Sequence, residues 1–192
     1  MLDFSKASVV KKYLDDIIEK VKSVKVKAVF SICPAYHSNR DVRIYSDDCP
    51  IYILFENDDC LVIDYRFIDA FQAEFRKLTD EEQAQYEESV VRDYFNCTID
   101  IHDAYTNEVK RTETIVLEYG SIERIVINHV INEYQKWIDG DIDFVAPSDE
   151  TFDKIKFIMS NGNSFTVCAD EADVDGYMLT WSDEAKETIV EK

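Results

Sequence analysis

Between residues 155 and 181 the chain reads IKFIMSNGNSFTVCADEADVDGYMLTW: two apolar runs meet at Asn161-Gly162, an acidic stretch follows, and a third apolar run closes the segment. Apolar runs joined by Asn-Gly predict a β-hairpin, because both residues tolerate the positive φ of a type I′ turn. The same pattern stands 104 positions earlier, in IYILFENDDCLVIDY at 51–65. Ile51 matches Ile155, Ile53 matches Phe157, Leu61 matches Phe165 and Ile63 matches Val167, with Asn57-Asp58 in place of Asn161-Gly162. One β-hairpin unit is therefore expected twice, at 51–65 and at 155–169.

The rest of the chain alternates between two periods. Val9, Val10, Tyr13, Leu14, Ile17, Ile18 and Val21 recur at helical spacing, so 5–23 is expected to be an amphipathic helix with Ser5 as its N-cap. Residues 26–32 and 42–45 predict short strands. Phe67, Phe71 and Phe75 stand four apart and predict a helix with an aromatic stripe. Thr79-Asp80-Glu81-Glu82 then forms a capping box that starts a further helix. Strands at 98–105, 109–119 and 122–127 are expected to form a three-strand meander. Val130, Ile131, Tyr134, Trp137 and Ile138 predict a short helix, 139–143 an acidic loop, and the residues from Asp183 a short acidic helix.

Strands thus follow strands through short turns. The expected class is α+β, mainly antiparallel sheet with helices packed on one face and the hairpin unit duplicated. The chain is expected to form a single compact domain, and the echo divides it into two related halves, 1–96 and 97–192.

Composition narrows the class. An apolar content of 46%, with eleven Tyr and eleven Phe, describes a globular chain, and four Gly with three Pro leave no room for a linker. No apolar run approaches the length of a membrane span, and the first residues lack the basic-then-apolar order of a secretory signal. Five widely spaced cysteines (Cys33, Cys49, Cys60, Cys97, Cys168) fit reduced thiols in a cytoplasm better than a disulfide framework. The net charge is −19, and from Asp139 onward fourteen acids face four lysines. Such a field repels nucleic acid and anionic membranes and speeds encounter with a basic protein.

Catalytic signatures are sparse. Neither a Walker-type nor a dinucleotide-binding glycine motif occurs. Glu171, Asp173 and Asp175-Gly176 have the spacing of a calcium loop, but Ser182 stands where a bidentate carboxylate is required. Cys33 and His37 lack a second ligand pair for zinc. His102, beside Asp103, is the best candidate for an oriented imidazole, yet adjacent strand residues point to opposite faces. No metal and no cofactor are expected.

The surface remains. Asp139, Asp141 and Asp143 with Trp137, and Asp170, Glu171, Asp173 and Asp175 with Tyr177 and Trp181, combine acids with aromatics, as a site for a basic protein does. The expectation is a non-enzymatic acidic binding protein in the style of immunity proteins that neutralise basic toxins. The likeness is one of size, charge and fold style, with no family motif. The alternatives are a small cytosolic hydrolase assembled in three dimensions around His102 and a cysteine, and a structural subunit of a larger assembly.

Overall fold

The computed structural model describes residues 7–32, 37–38, 42–46, 50–65, 71–87, 93, 95–102, 106, 108–129, 134–138, 141–145, 152–169 and 176–180. In chain order the elements are α1 (Ala7–Val21), β1 (Val26–Ser31), β2 (His37–Ser38), β3 (Val42–Ser46), β4 (Ile51–Phe55), β5 (Asp59–Tyr65), β6 (Phe71–Lys77) and α2 (Asp80–Glu87). There follow β7 (Asn96–His102), β8 (Val109–Val116), β9 (Ile122–His129), β10 (Tyr134–Ile138), β11 (Asp141–Val145), β12 (Phe152–Met159), β13 (Ser164–Ala169) and β14 (Gly176–Thr180). Every strand pairing among the described residues is antiparallel, and the class is α+β. No helix among the described residues is long and apolar enough to cross a membrane.

The duplication extends well beyond the hairpin. One sheet has the order β1-β4-β5-β6, and the other contains β9-β12-β13-β14 in the same sense, with β3 and β2 added beyond β14. The registers coincide: Val29↔Ile53 and Ile53↔Leu61 in the first correspond to Ile125↔Phe157 and Phe157↔Phe165 in the second. On the fourth strand, Ile63↔Ala73 corresponds to Val167↔Leu179.

Even the irregularity repeats. The ladder shifts between Val26 and Ala28 in β1, and between their counterparts Ile122 and Arg124 in β9. In each case a bulge lets residues three apart, Val26 and Val29 or Ile122 and Ile125, enter the same buried cluster. Lys25 and Ser121, equivalent positions immediately before the two strands, form an antiparallel bridge with each other. Pairing of a residue with its own counterpart is what a local two-fold axis requires.

Both hairpin turns differ from the expected type I′. In the first, the Asp58 N–H donates to Phe55 O at 2.9 Å and Asp58 has φ 64°. In the second, the Gly162 N–H donates to Met159 O at 3.0 Å and Gly162 has φ 87°. Among the described residues only these two have positive φ, so Asn57 and Asn161 do not. Each turn is a three-residue loop in which an ordinary turn precedes one left-handed residue. Asn supplies the cap: the Asn57 and Asn161 carboxamide oxygens each accept the N–H two residues on, both at 3.1 Å.

Two predicted helices are strands. Ala73 and Phe75 turn to the core from β6, which pairs with β5 along its length. A spacing of four satisfies a period of two as well as one of 3.6, and the β5 edge decides between them. Tyr134–Ile138 likewise forms β10, paired with β11, so Asp141 and Asp143 lie in a strand and not in a loop. The meander has two strands, β7 and β8, since β9 pairs with β12. The expected Ser5 cap and the helix from Asp183 lie outside the described residues.

The core explains why the pattern closes. Val10, Leu14, Ile17, Ile18 and Val21 of α1 join Ile51, Ile53, Phe55, Leu61 and Ile63 of the first sheet. Ile122, Ile125, Ile155, Phe157, Phe165 and Val167 of the second sheet enter the same cluster. Burial of each such side chain stabilises the fold by about 1.5–3 kcal/mol. The other face of the first sheet buries Ala28, Phe30, Tyr52, Leu54, Cys60 and Val62, with Leu78 and Tyr86 of the α2 segment against them. With both faces covered, β4 is apolar throughout, IYILF.

The two left-handed positions give a paired test. Nothing lies within 4 Å of a Cβ built on Gly162, so its substitution costs conformational energy alone. Gly162→Val is expected to lower unfolding stability by about 2 kcal/mol, and Asp58→Gly to raise it by up to about 1 kcal/mol, read from urea midpoints. The exposed Lys27–Asp58 pair, 3.2 Å apart, offsets little of that gain.

Candidate partner-binding surface

Of the residues singled out for partner binding, the described strands hold Trp137, Asp141, Asp143 and Tyr177. β10 and β11 form a two-stranded ribbon, and among the described residues no other strand joins it. Its register sets Ile138 opposite Asp141, Trp137 opposite Ile142 and Lys136 opposite Asp143. Asp141 and Asp143 are two apart and so share one face of the ribbon, while the Trp137–Ile142 pair belongs to the other. Tyr177 lies within the second sheet, with Ala169 of β13 on one side and Tyr45 of β3 on the other. Asp139, Asp170, Glu171, Asp173, Asp175 and Trp181 lie outside the described residues.

The acids at the first hairpin tip are engaged within the chain. Lys77 Nζ reaches Asp59 at 3.0 Å and donates to Asn57 O at 2.7 Å, and the Asn57 carboxamide donates to Asp59 at 2.8 Å. With Lys27 beside Asp58, this tip is a self-neutralised turn.

Two polar networks that the sequence pattern does not reveal hold the sheets in place. Arg76 on β6 makes a bidentate pair with Glu82 on α2, Nη1–Oε2 2.7 Å and Nη2–Oε1 2.8 Å. The Tyr52 hydroxyl donates to Glu82 at 2.9 Å, and the Thr79 N–H does so at 2.7 Å. The Glu82 N–H in turn donates to Thr79 Oγ1 at 3.2 Å, so the predicted capping box is present. The Arg76 guanidinium, followed by the hydrogen bonds from Thr79 and Tyr52, holds the Glu82 carboxyl down at about 2 against its burial. Burial, followed by the bond to Glu82, raises the Tyr52 phenol.

The second network centres on Asp93. Its carboxylate accepts from the Tyr119 hydroxyl at 2.6 Å, the Phe95 N–H at 3.1 Å and the Asn96 carboxamide at 3.3 Å. The Val29 backbone of β1 also acts to lower the carboxyl, less than those partners do. Burial raises the Asp93 carboxyl above its ordinary value despite these partners.

His102 sits on β7 opposite Val109, His37 on β2 and His129 on β9. Burial pushes the Cys60 thiol up to about 12, which suppresses its thiolate at neutral pH. Among the described residues no three His, Cys, Asp or Glu side chains are placed to hold a metal ion. Of the stretch with calcium-loop spacing, 176–180 is the strand β14 with partners on both sides, and 171–175 and 182 lie outside the described residues. Compared with known proteins, the chain matches no family model, no curated protein and no solved structure.

The networks set two expectations. Glu82 has a folded pKa of about 2 against an ordinary 4.5, so its stabilisation is complete above the ordinary value and fades as pH falls toward 2. Wild-type stability is therefore expected to fall across that window by on the order of 2 kcal/mol more than that of Glu82→Gln, read by urea unfolding at stepped pH. For Asp93, raised by burial, the neutral Asp93→Asn keeps an acceptor for Tyr119 and is expected to match or exceed wild type at pH 7. Asp93→Ala strands the Tyr119 hydroxyl and the Phe95 N–H and is expected to lose about 1–3 kcal/mol in the same assay.

Proposed function

We propose that this chain is a non-enzymatic acidic binding protein that captures a basic protein partner, in the manner of a toxin-neutralising immunity protein acting in the cytoplasm. The observation that carries this reading is the acid-bearing ribbon: Asp141 and Asp143 share one face of a hairpin that joins no other described strand. It lies in a stretch where acids outnumber lysines fourteen to four, in a chain of net charge −19. Such a field raises the rate of encounter with a cationic surface.

Support also comes from where the perturbed groups reside. Tyr52 donates to Glu82 and Tyr119 to Asp93, so each pair performs structural work inside the fold.

The test is capture from lysate by the immobilised chain at low salt, with stepped elution. A basic protein is expected to leave at a few hundred millimolar salt, where the Debye length falls to roughly half its low-salt value. Reversal of Asp139, Asp141 and Asp143 to Lys is expected to weaken that capture at least tenfold. Undiminished capture by the folded triple variant contradicts the reading.

A further inference from the structure

The second sheet exceeds the first by two strands, with the order β9-β12-β13-β14-β3-β2 against β1-β4-β5-β6. The extra pair comes from the first repeat. β2 and β3 form a hairpin inserted between β1 and β4, and β3 crosses to pair with β14 of the other repeat. The second repeat has its own hairpin, β10–β11, inserted at the equivalent place between β9 and β12. A two-fold relation is reciprocal: what the first repeat gives to the edge of the second, the second gives to the edge of the first. Among the described residues the receiving edge, β6, pairs with β5 alone, and β11 pairs with β10 alone.

The two hairpins match residue for residue. His37↔Ile44 and Ser38↔Arg43 in the first correspond to Lys136↔Asp143 and Trp137↔Ile142 in the second. With that match, Val42–Ser46 falls on Asp141–Val145 end for end. The receiving strands match as well, since Leu179 takes the place of Ala73 and Tyr177 that of Phe71. The observed β14–β3 pairs therefore transfer to β6 and β11 without a free choice of register. Tyr177↔Tyr45 becomes Phe71↔Phe144, and Met178↔Ile44 becomes Gln72↔Asp143. Leu179↔Arg43 becomes Ala73↔Ile142, and Thr180↔Val42 becomes Glu74↔Asp141.

Symmetry alone fixes that register, and the residue types agree with it. Strand alternation sets Ile142 and Phe144 in line with Ala73, which is buried in the shared core, so apolar positions continue apolar ones. An aromatic stands opposite an aromatic at the same place in both repeats. Asp141 and Asp143 fall in line with the exposed Gln72 and Glu74. The one like-charge pair, Glu74↔Asp141, is offset by Arg76, which bonds to Glu74 at 3.0 Å and stands diagonal to Asp141 in this register. A two-stranded hairpin is marginal by itself in water and an unpaired edge invites a further strand, so both elements gain from the pairing.

We propose that the free edge of β6 is the docking site of the chain's own β10–β11 hairpin, with β11 antiparallel to β6. Each repeat then completes the other's sheet at six strands, the first in the order β1-β4-β5-β6-β11-β10. The docked hairpin sets Asp141 and Asp143 on the outer face of the first sheet, beside Gln72 and Glu74. The inference is drawn from backbone pairing, and it stands or falls independently of what those acids bind.

Nuclear magnetic resonance of the full chain tests it. An edge strand protects only the alternate amides that bond to its single neighbour, whereas a strand paired on both sides protects consecutive ones. Consecutive protection from hydrogen exchange is expected at Gln72, Ala73 and Glu74, with cross-strand Overhauser contacts that set Ala73 opposite Ile142. Alternating protection, no contacts between β6 and β11, or contacts in another register overturn the proposal. So do contacts seen only between differently labelled copies in a mixed sample, which assign the edge to a second copy. Asp143→Pro supplies a second readout, because it removes a backbone donor in the middle of β11. The β6 amides that face away from β5 are expected to exchange at least tenfold faster in that variant, while β4 amides keep their wild-type rates and report an intact core. Unchanged β6 rates also overturn the proposal, and the wild-type contacts decide it if the variant does not fold.

Discussion

Both large sheets must bury their inner faces in the same apolar cluster, and most other features of the fold follow from that constraint. α1 fills the cluster with Leu14 and Ile17, while Phe157 stacks on Phe165 with ring centres 5.0 Å apart and Phe95 meets Phe165 tilted, at 5.5 Å. Two copies of one unit sharing a core are brought into register where their first strands meet, at the Lys25↔Ser121 bridge. The seam is tight. A Cβ on Gly120 would lie 2.7 Å from Ser160 Oγ, and Ser160 itself donates its N–H to Ser121 O at 2.8 Å. The matching bond in the first repeat, Glu56 N–H to Lys25 O, is 3.0 Å.

Duplication leaves each repeat free to diverge wherever the shared core is not involved. The first hairpin tip is charged and neutralised by its own lysines, whereas the second is built of Ser, Asn and Gly and tied to Glu118 O by two carboxamides at 2.8 Å. The outer faces diverge from apolar to cationic. Inner positions stay apolar in both copies, because a polar group there would enter the cluster unsatisfied. The insertion between the first and second strands differs too. In the first repeat β3 joins the far edge of the second sheet, and in the second the β10–β11 ribbon carries Asp141 and Asp143. A duplicated fold thus supplies a common scaffold, and the second insertion sets an acid-bearing hairpin beside it in sequence.

How much of this was legible in the sequence depended on how local each signal is. α1, both hairpins and the Thr79–Glu82 cap depend on contacts within a few residues, and pattern alone located them. β6 was misread because Phe71 and Phe75 satisfy either period, although Gln72 and Glu74 between Phe71, Ala73 and Phe75 already alternate. β10 was misread for a similar reason, with Trp137 and Ile138 fitting a helical stripe. The pairing of β9 with β12, the Asp93–Tyr119 bond across 26 residues and the Lys25↔Ser121 bridge are non-local, and no window on the chain contains them. The echo of 51–65 in 155–169 was the one long-range signal available, and it understated a repeat that also includes β1, β6 and their counterparts. For the partner surface, the sequence located charge but not geometry, since it set Asp141 and Asp143 in a loop.

The account rests most heavily on the local two-fold axis between the repeats. Cross-strand α-proton Overhauser contacts between the two copies' first strands test it directly. The account predicts a contact between Lys25 and Ser121, with the ladders interrupted at Lys27 and at Glu123. A missing Lys25–Ser121 contact, or a β9–β12 ladder running without interruption through Glu123, would contradict it.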